Sequence, residues 1–202
     1  EDKKGTLWIP TNRGLSRYIP ETGAVYNFTT EDGLPSNEFN QNGFHAGVSG
    51  RFFFATVGGS VSFYPGDISI NTMPPPLAFT KFLIKNEDYS SLLRDTVITL
   101  SYSQNFFSIE FAALAFESPS KNQYAYMLEG IDQDWIYSGH RRFANYTEVK
   151  PGTYTFRIRG SNGSGIWNNE GTALTIVIVP AFWATWWFRL LAATAVIGGT
   201  AA

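Results

Sequence analysis

Short apolar runs, each closed by a cluster of turn-forming residues, constrain the fold of this chain more than any other feature of its sequence. Large side chains recur at every second position in residues 107–111, 124–128 and 154–158. That period places one face of each run in a core and the other in water, as in a β-strand. No helical pattern longer than a turn or two precedes residue 181. The sequence therefore predicts an all-β fold.

Composition excludes several classes of function. The 202 residues carry 15 basic and 17 acidic side chains, for a formal net charge of −2, so a generally basic nucleic-acid-binding surface is not expected. Cysteine is absent, which excludes disulfides, thiolate zinc sites and a cysteine nucleophile. His45 and His140 are too few for a histidine-rich metal centre. With no nucleophile elbow and no phosphate-binding glycine loop, we expect neither catalysis nor a cofactor in this chain.

The first 73 residues contain a repeat with an offset of 45 residues. Three large apolar residues precede a small, polar turn in both copies, and Thr11 and Gly14 of the first copy match Thr56 and Gly59 of the second. Hairpins repeated every 40 to 50 residues or so are typical of β-propeller blades, which bury their faces only against neighbouring blades. We therefore expect the remaining blades to lie upstream of residue 1.

The residues of this repeat resemble a known family. The run LWIPTNRGLSRY at 7–18 looks like the blade repeat of two-component regulator propellers, and residues 28–40 are similar to the connection before the last blade in that family. The polar side chains at 37–41 either face a ligand from a blade loop or satisfy backbone groups at turns and caps. We favour the second interpretation. We interpret His45 as a packed strand residue.

Residues 77–180 predict a sandwich of about seven strands. A Pro-Gly turn at 151–152 delivers a tyrosine onto the start of a long strand, the pattern of the tyrosine corner in immunoglobulin-like and fibronectin type III domains. The residues to which we assign structural roles in this sandwich, as core or corner, are Tyr124, Tyr126, Trp135 and Tyr154.

The same segment resembles the Y_Y_Y domain. The similarity covers about residues 80–180 and includes NFFSIEFAA at 105–113, YAYMLEG at 124–130 and PGTYTF at 151–156, in that order. In that family the domain lies between a periplasmic propeller and a transmembrane helix, and a cytoplasmic histidine kinase or DNA-binding output follows. The resemblance therefore implies a sensor region.

An aromatic segment and then an apolar segment end the sequence. Trp183, Trp186, Trp187 and Arg189 have the composition of a membrane-interface belt with an anchoring cation. The 13 residues of 190–202 carry no charge, but a membrane span needs about 20 apolar residues. We interpret the segment as the start of a truncated transmembrane helix; the alternative is a C-terminal amphipathic or core helix.

A proline triplet at 74–76 marks the predicted domain boundary, because proline cannot donate to a sheet and consecutive prolines favour a stiff, extended chain. The predicted parts are the last blade or blades of a β-propeller at 1–73, a proline linker at 74–79, an immunoglobulin/fibronectin III-like Y_Y_Y β-sandwich at 80–180, and a membrane-interface segment with the start of a transmembrane helix at 181–202.

The resemblance implies the membrane-proximal part of a periplasmic sensor in a two-component signalling protein of the hybrid histidine kinase type. It also implies a glycan or oligosaccharide ligand that binds in the upstream propeller. We expect a homodimer on the periplasmic side of the inner membrane, anchored once at its C-terminus, with no nucleic-acid partner for this chain. The alternative is a membrane-tethered carbohydrate-binding or adhesive module without kinase output. A membrane-anchored hydrolase is disfavoured, since no nucleophile or acid pair is recognisable.

Overall fold

The structure, a computed structural model, describes the backbone of residues 1–200 and the side chains of residues 1–194. The chain divides into two compact units. The N-terminal unit comprises Glu1–Met73 and two short segments from later in the chain, Ala115–Lys121 and Asn162–Ile166. The second unit comprises Pro74–Leu114, Asn122–Ser161 and the chain from Trp167 onward.

Two three-stranded antiparallel sheets make up the N-terminal unit, ordered β1-β2-β3 and β4-β5-β6. Their strands are β1 (Leu7–Thr11), β2 (Gly14–Ile19), β3 (Ala24–Phe28), β4 (Phe39–Ala46), β5 (Phe52–Thr56) and β6 (Gly59–Phe63).

The repeat found in the sequence corresponds to two hairpin turns closed by the same hydrogen bond. The Thr11 hydroxyl donates to the carbonyl of Gly14 at 2.8 Å, and the Thr56 hydroxyl donates to the carbonyl of Gly59 at 3.0 Å. Both glycines have positive φ, 112° and 137°, a backbone conformation that a side chain would strain. Equivalent residues therefore close equivalent hairpins. Their identity as propeller blades stays a prediction.

Two sheets form the second unit, one of four strands ordered β13-β10-β7-β8 and one of five strands ordered β12-β11-β14-β15-β9. Neighbouring strands are antiparallel except β15 and β9, which run parallel. The strands are β7 (Leu77–Ile84), β8 (Glu87–Asp88), β9 (Val97–Leu100), β10 (Phe107–Ala113), β11 (Tyr124–Glu129), β12 (Ile136–Gly139), β13 (Phe143–Tyr146), β14 (Gly152–Ser161) and β15 (Trp167–Ile178).

Alternate residues of these strands fill the sandwich core. Phe107, Ile109 and Phe111 of β10 are each at most 1% exposed, and they pack with Phe156 and Ile158 of β14, which are fully buried. Burying a side chain of this size stabilises a fold by roughly 1.5–3 kcal/mol. The predicted all-β fold is confirmed.

Helix α1 (Trp186–Thr200) follows the last strand after a short 3₁₀ turn at Phe182–Ala184. Its 15 residues rise about 22 Å, less than the roughly 30 Å of a bilayer core. Among the described residues, no helix combines the length and apolar character needed to cross a membrane. The predicted start of a transmembrane helix therefore stays a prediction, and residues 201–202 of that segment lie outside the described residues.

Candidate functional site

Tyr124 and Tyr126 point into the sandwich from neighbouring inward positions of β11. Tyr124 is 2% exposed, and its hydroxyl oxygen accepts from the backbone N–H of Ala113 at 3.3 Å. Tyr126 is 6% exposed, and its hydroxyl oxygen accepts from Arg141 Nη2 at 3.0 Å. A buried tyrosine costs free energy unless its hydroxyl finds such a partner. Both residues therefore contribute apolar area and one satisfied polar contact each.

Tyr154 lies near the start of β14, immediately after the Pro-Gly turn. Its hydroxyl donates to the carbonyl of Lys150 at 2.9 Å, which is the upstream backbone hydrogen bond that a tyrosine corner requires. Two glycines make room for the ring: a Cβ at Gly130 or Gly152 would lie 3.2 Å from its nearest atom. The corner thus depends on small residues as well as on the tyrosine.

A fourth tyrosine, Tyr146, also lies in the core, although the sequence pattern predicted no structural role for it. It is 7% exposed, and its hydroxyl donates to Asp132 Oδ2 at 2.6 Å. The same oxygen accepts from the backbone N–H of Leu128 at 2.7 Å. Burial, reinforced by the hydrogen bond and charge of Asp132, raises the pKa of Tyr146 well above its ordinary value. The phenol therefore stays protonated and ties β13 to the turn after β11.

Trp135 is not part of the core, so the prediction that it packs against the core is wrong. It lies in the turn before β12, half-exposed, with the guanidinium of Arg159 4.0 Å from its ring centroid. A cavity of about 250 Å³ opens beside it, lined by Met127, Glu129 and Arg157 among others. The ring follows a polar turn, where strand alternation does not apply, and a cation covers its face. Trp135 therefore packs on the outer surface of the five-stranded sheet.

Turn and cap chemistry accounts for the described contacts of the polar cluster in the N-terminal unit. Asn37 Oδ1 accepts from the backbone N–H of Thr30 at 2.8 Å, and the Asn37 carbonyl accepts from the N–H of Gly14 at 2.8 Å. His45 lies on β4 as predicted, but its side chain is exposed and its ring centroid is 6.2 Å from that of Phe53. Neither residue has the surroundings of a ligand pocket.

The four residues assigned to a membrane interface all lie beyond the last strand. Trp183 is 47% exposed and contacts Tyr102 edge-on at 4.9 Å between centroids. Trp186 and Trp187 on α1 are 79% and 49% exposed, and Arg189 is exposed as well. Large exposed apolar side chains grouped in this way mark an interaction surface, with protein or with membrane.

Histidine and acidic side chains are spread out in the part of the chain that the structure describes. No group of three or more histidine, aspartate or glutamate residues there could hold a metal ion. The described candidate residues form two groups, the tyrosines of the sandwich and the exposed aromatic segment that follows its last strand.

Comparison with known proteins matches part of the chain to a domain family. Residues 115–179 match the family described as the Y_Y_Y domain. The predicted extent of that domain began near residue 80, and β7, β8, β9 and β10 all lie ahead of the matched range, although they complete the two sheets of the same unit.

The chain is 37% identical over 197 residues to Histidine kinase P4 of Formosa agariphila, an alignment that covers 93% of this chain and 14% of that protein. It also superposes on the extracellular domain of the protein BT3049 from B. thetaiotaomicron, described as a hybrid two component system, with a TM-score of 0.77 and 27% identity. That match covers 89% of this chain and 25% of the solved chain.

The extracellular domain of BT4673, also from B. thetaiotaomicron, shares the fold with a TM-score of 0.51 and 22% identity, over 88% of this chain and 24% of that one. This chain thus spans about a seventh of the curated relative and a quarter of each solved structure. It is similar to the extracellular sensor regions of two-component signalling proteins, with a Y_Y_Y domain match over residues 115–179.

Proposed function

We propose that this chain is the membrane-proximal part of the periplasmic sensor of a hybrid histidine kinase. The similarity to the extracellular domain of BT3049 carries the proposal, because it extends over 89% of the chain and so includes residues of both compact units. In the proposed mechanism, a glycan or oligosaccharide binds in a propeller whose last blades are the two N-terminal sheets. The sandwich passes the resulting change to a helix in the inner membrane.

The last strand of the sandwich supports this path. β15 pairs with β14 over most of its length and with β9 near its end. The backbone N–H of Val179 then donates to the carbonyl of Leu100 at 2.9 Å, and Ala181 is 7% exposed. The chain is therefore held until residue 181, and only Phe182–Thr185 separate this point from α1. A displacement of β15 has a short route to the helix.

We further propose that two copies of the protein act together. Each protomer would hold its membrane helix at the end of β15, and ligand would favour one of two arrangements of the pair. Such a shift requires ligand to bind one arrangement more tightly than the other. The activity of the kinase would then depend on the arrangement of the two helices.

An insertion at the exit tests the mechanism. Gly-Ser-Gly placed between Ala181 and Phe182 of the full-length protein should leave glycan affinity unchanged and abolish glycan-dependent autophosphorylation. The same insertion between Lys85 and Asn86, in the exposed β7–β8 turn, is the matched control and should leave both properties intact.

Two results would count against the proposal. Normal signalling by the exit-insertion variant would exclude transmission through this segment. Glycan binding without any kinase output in the unaltered protein would favour the tethered carbohydrate-binding module instead.

A further inference from the structure

The connection between β6 and β7 contains the proline triplet at 74–76, and residues 71–75 of this connection belong to no strand. Prolines contribute no N–H groups, and a free run of this kind would act as a stiff but unattached spacer. In this chain, however, the carbonyls of residues 71, 73 and 75 each accept a hydrogen bond from a side-chain amide. Every second carbonyl from residue 71 to residue 75 is therefore held by a side-chain amide.

Asn162 supplies two of these bonds within the N-terminal unit. Its Nδ2 donates to the carbonyl of Asn71 at 2.9 Å and to that of Met73 at 3.1 Å. Its Oδ1 accepts from the backbone N–H groups of Ser164 and Ile166, both at 3.0 Å. The residue is 2% exposed, and both donors and both acceptor positions of the amide are used. The amide oxygen thus stabilises the turn that follows Asn162, and the amide nitrogen binds the connection between β6 and β7.

Asn168 supplies the third bond within the second unit. Its Nδ2 donates to the carbonyl of Pro75 at 2.9 Å, and its Oδ1 accepts from the backbone N–H of Gly171 at 3.0 Å. Gly171 has a φ of 70° and forms part of a register shift against Ile158, where an added Cβ would lie 2.2 Å from the Ile158 carbonyl oxygen. The bulge in β15 thus orients the Asn168 amide.

The turn that carries Asn162 is itself fastened within the N-terminal unit. A Cβ on Gly163 would lie 2.9 Å from the Cβ of Ser118, so the two short segments of that unit pack without spare room. The Ser118 hydroxyl donates to Asp32 Oδ1 at 3.0 Å, and Lys121 forms an ion pair with the same carboxylate. These contacts, 86 to 89 residues apart in sequence, keep the turn in place.

We propose that Asn162 and Asn168 form an amide latch that holds residues 71–75 in one conformation, so that the proline connection transmits movement instead of acting as a free hinge. Both are positioning residues, and neither contacts a ligand. Their role in signalling rests on the proposed sensor function, whereas the latch itself can be tested without ligand or kinase.

Substitution by aspartate isolates the latch. In Asn162→Asp and Asn168→Asp the oxygen that shapes the local turn is retained, the donors to the connection are lost, and a carboxylate oxygen that repels the carbonyls takes their place. Asn169→Asp is the matched control, because Asn169 adjoins Asn168 and is exposed. The first measurement is the rate at which proteinase K cleaves the native full-length protein within residues 68–73, identified by mass spectrometry. Cleavage of this kind tracks the open population when opening is fast.

Each lost hydrogen bond should raise the open population about five-fold. With the added repulsion, cleavage should therefore accelerate at least about ten-fold in Asn162→Asp and at least about five-fold in Asn168→Asp, and should change less than about two-fold in Asn169→Asp. Near-UV circular dichroism checks that the core is intact. If Asn162→Asp unfolds globally, Asn168→Asp alone decides the result. Equal cleavage rates in Asn168→Asp and Asn169→Asp would overturn the latch.

The second measurement separates the latch from the sensor function. Autophosphorylation is followed in membrane vesicles with a panel of plant and algal oligosaccharides as the probe. Faster cleavage together with lost stimulation in Asn162→Asp supports transmission through the latch. Faster cleavage with full stimulation refutes that role and leaves the sensor function standing. Faster cleavage with no stimulation of the unaltered protein counts against the sensor function, while the latch stands.

Discussion

Replacement of Tyr146 by phenylalanine gives a prediction whose magnitude and pH dependence both follow from the structure. The change keeps a ring whose centroid lies 5.9 Å from that of Phe107 and 6.1 Å from that of Phe156, and it removes only the hydroxyl that donates to Asp132. Hydrogen bonds to charged groups contribute about 1.5–3 kcal/mol, and Asp132 is only half-buried. We therefore expect the free energy of unfolding at pH 7 to fall by about 1–2 kcal/mol.

The difference in the free energy of unfolding between the two proteins should also decrease as the pH rises above about 10. The pKa of Tyr146 is raised above its ordinary value of 10.0, first by burial and then by Asp132. The unfolded chain therefore loses this proton above about pH 10 while the folded chain keeps it, and the stabilising effect present below that pH declines as pH rises. The decline is about 1.4 kcal/mol per pH unit. Within roughly one to two units above pH 10, the phenylalanine variant should become the more stable protein.

Urea denaturation of both proteins between pH 7 and pH 11.5 measures this directly. The other ionisable groups titrate in both proteins and cancel in the difference. A stability difference that stays constant across this range would show that the Tyr146 hydroxyl titrates normally in the folded state, which would refute the argument from burial and the Asp132 contact.

Three further predictions concern stability. Tyr154→Phe should lower the melting temperature by removing one neutral hydrogen bond, worth about 0.5–1.5 kcal/mol, and should leave ligand affinity unchanged. Gly14→Ala should cost more than about 2 kcal/mol by urea denaturation, because its Cβ would lie 2.1 Å from the carbonyl oxygen of Phe28, whereas Gly66→Ala meets nothing within 4 Å and should stay within about 0.5 kcal/mol. For Asp32, partial burial favours the neutral form, but hydrogen bonds and a nearby lysine outweigh it and lower its pKa below 3.8. The stability advantage over Asp32→Asn should be complete above that value and disappear as pH falls through the lowered pKa, measured by denaturation between about pH 6 and pH 2.

The strand pattern made the fold predictable because burial in a sheet has a period of two. Phe107, Ile109 and Phe111 alternate in the sequence, and all three are buried. The same reasoning could not place Trp135, since the residue follows a turn and no alternation extends to it. Its neighbour Arg159 is 24 positions away, and covers the ring only because β14 pairs beside β11.

The polar contacts were less predictable because their partners carry little sequence signal. Asn162 and Asn168 donate to backbone carbonyls about 90 positions earlier, and every residue has a carbonyl. Tyr146 and Asp132 are only 14 positions apart, but one lies on a strand and the other in a turn. Such contacts are fixed by tertiary structure, which local propensity and periodicity do not encode.

Strand β15 connects the turn that carries Asn162 with the segment that leads to helix α1. Its 12 residues extend at most about 40 Å, and it follows directly on the turn at Asn162–Ile166 that belongs to the N-terminal unit. Over Thr175–Ile178 it has strand partners on both sides, so this part cannot slip by one residue without losing ladder hydrogen bonds and turning its core face outward. In the proposed mechanism, a displacement of β15 would therefore move the doubly paired part as a unit. That movement would arrive at Ala181, the last buried residue before the exposed tryptophans.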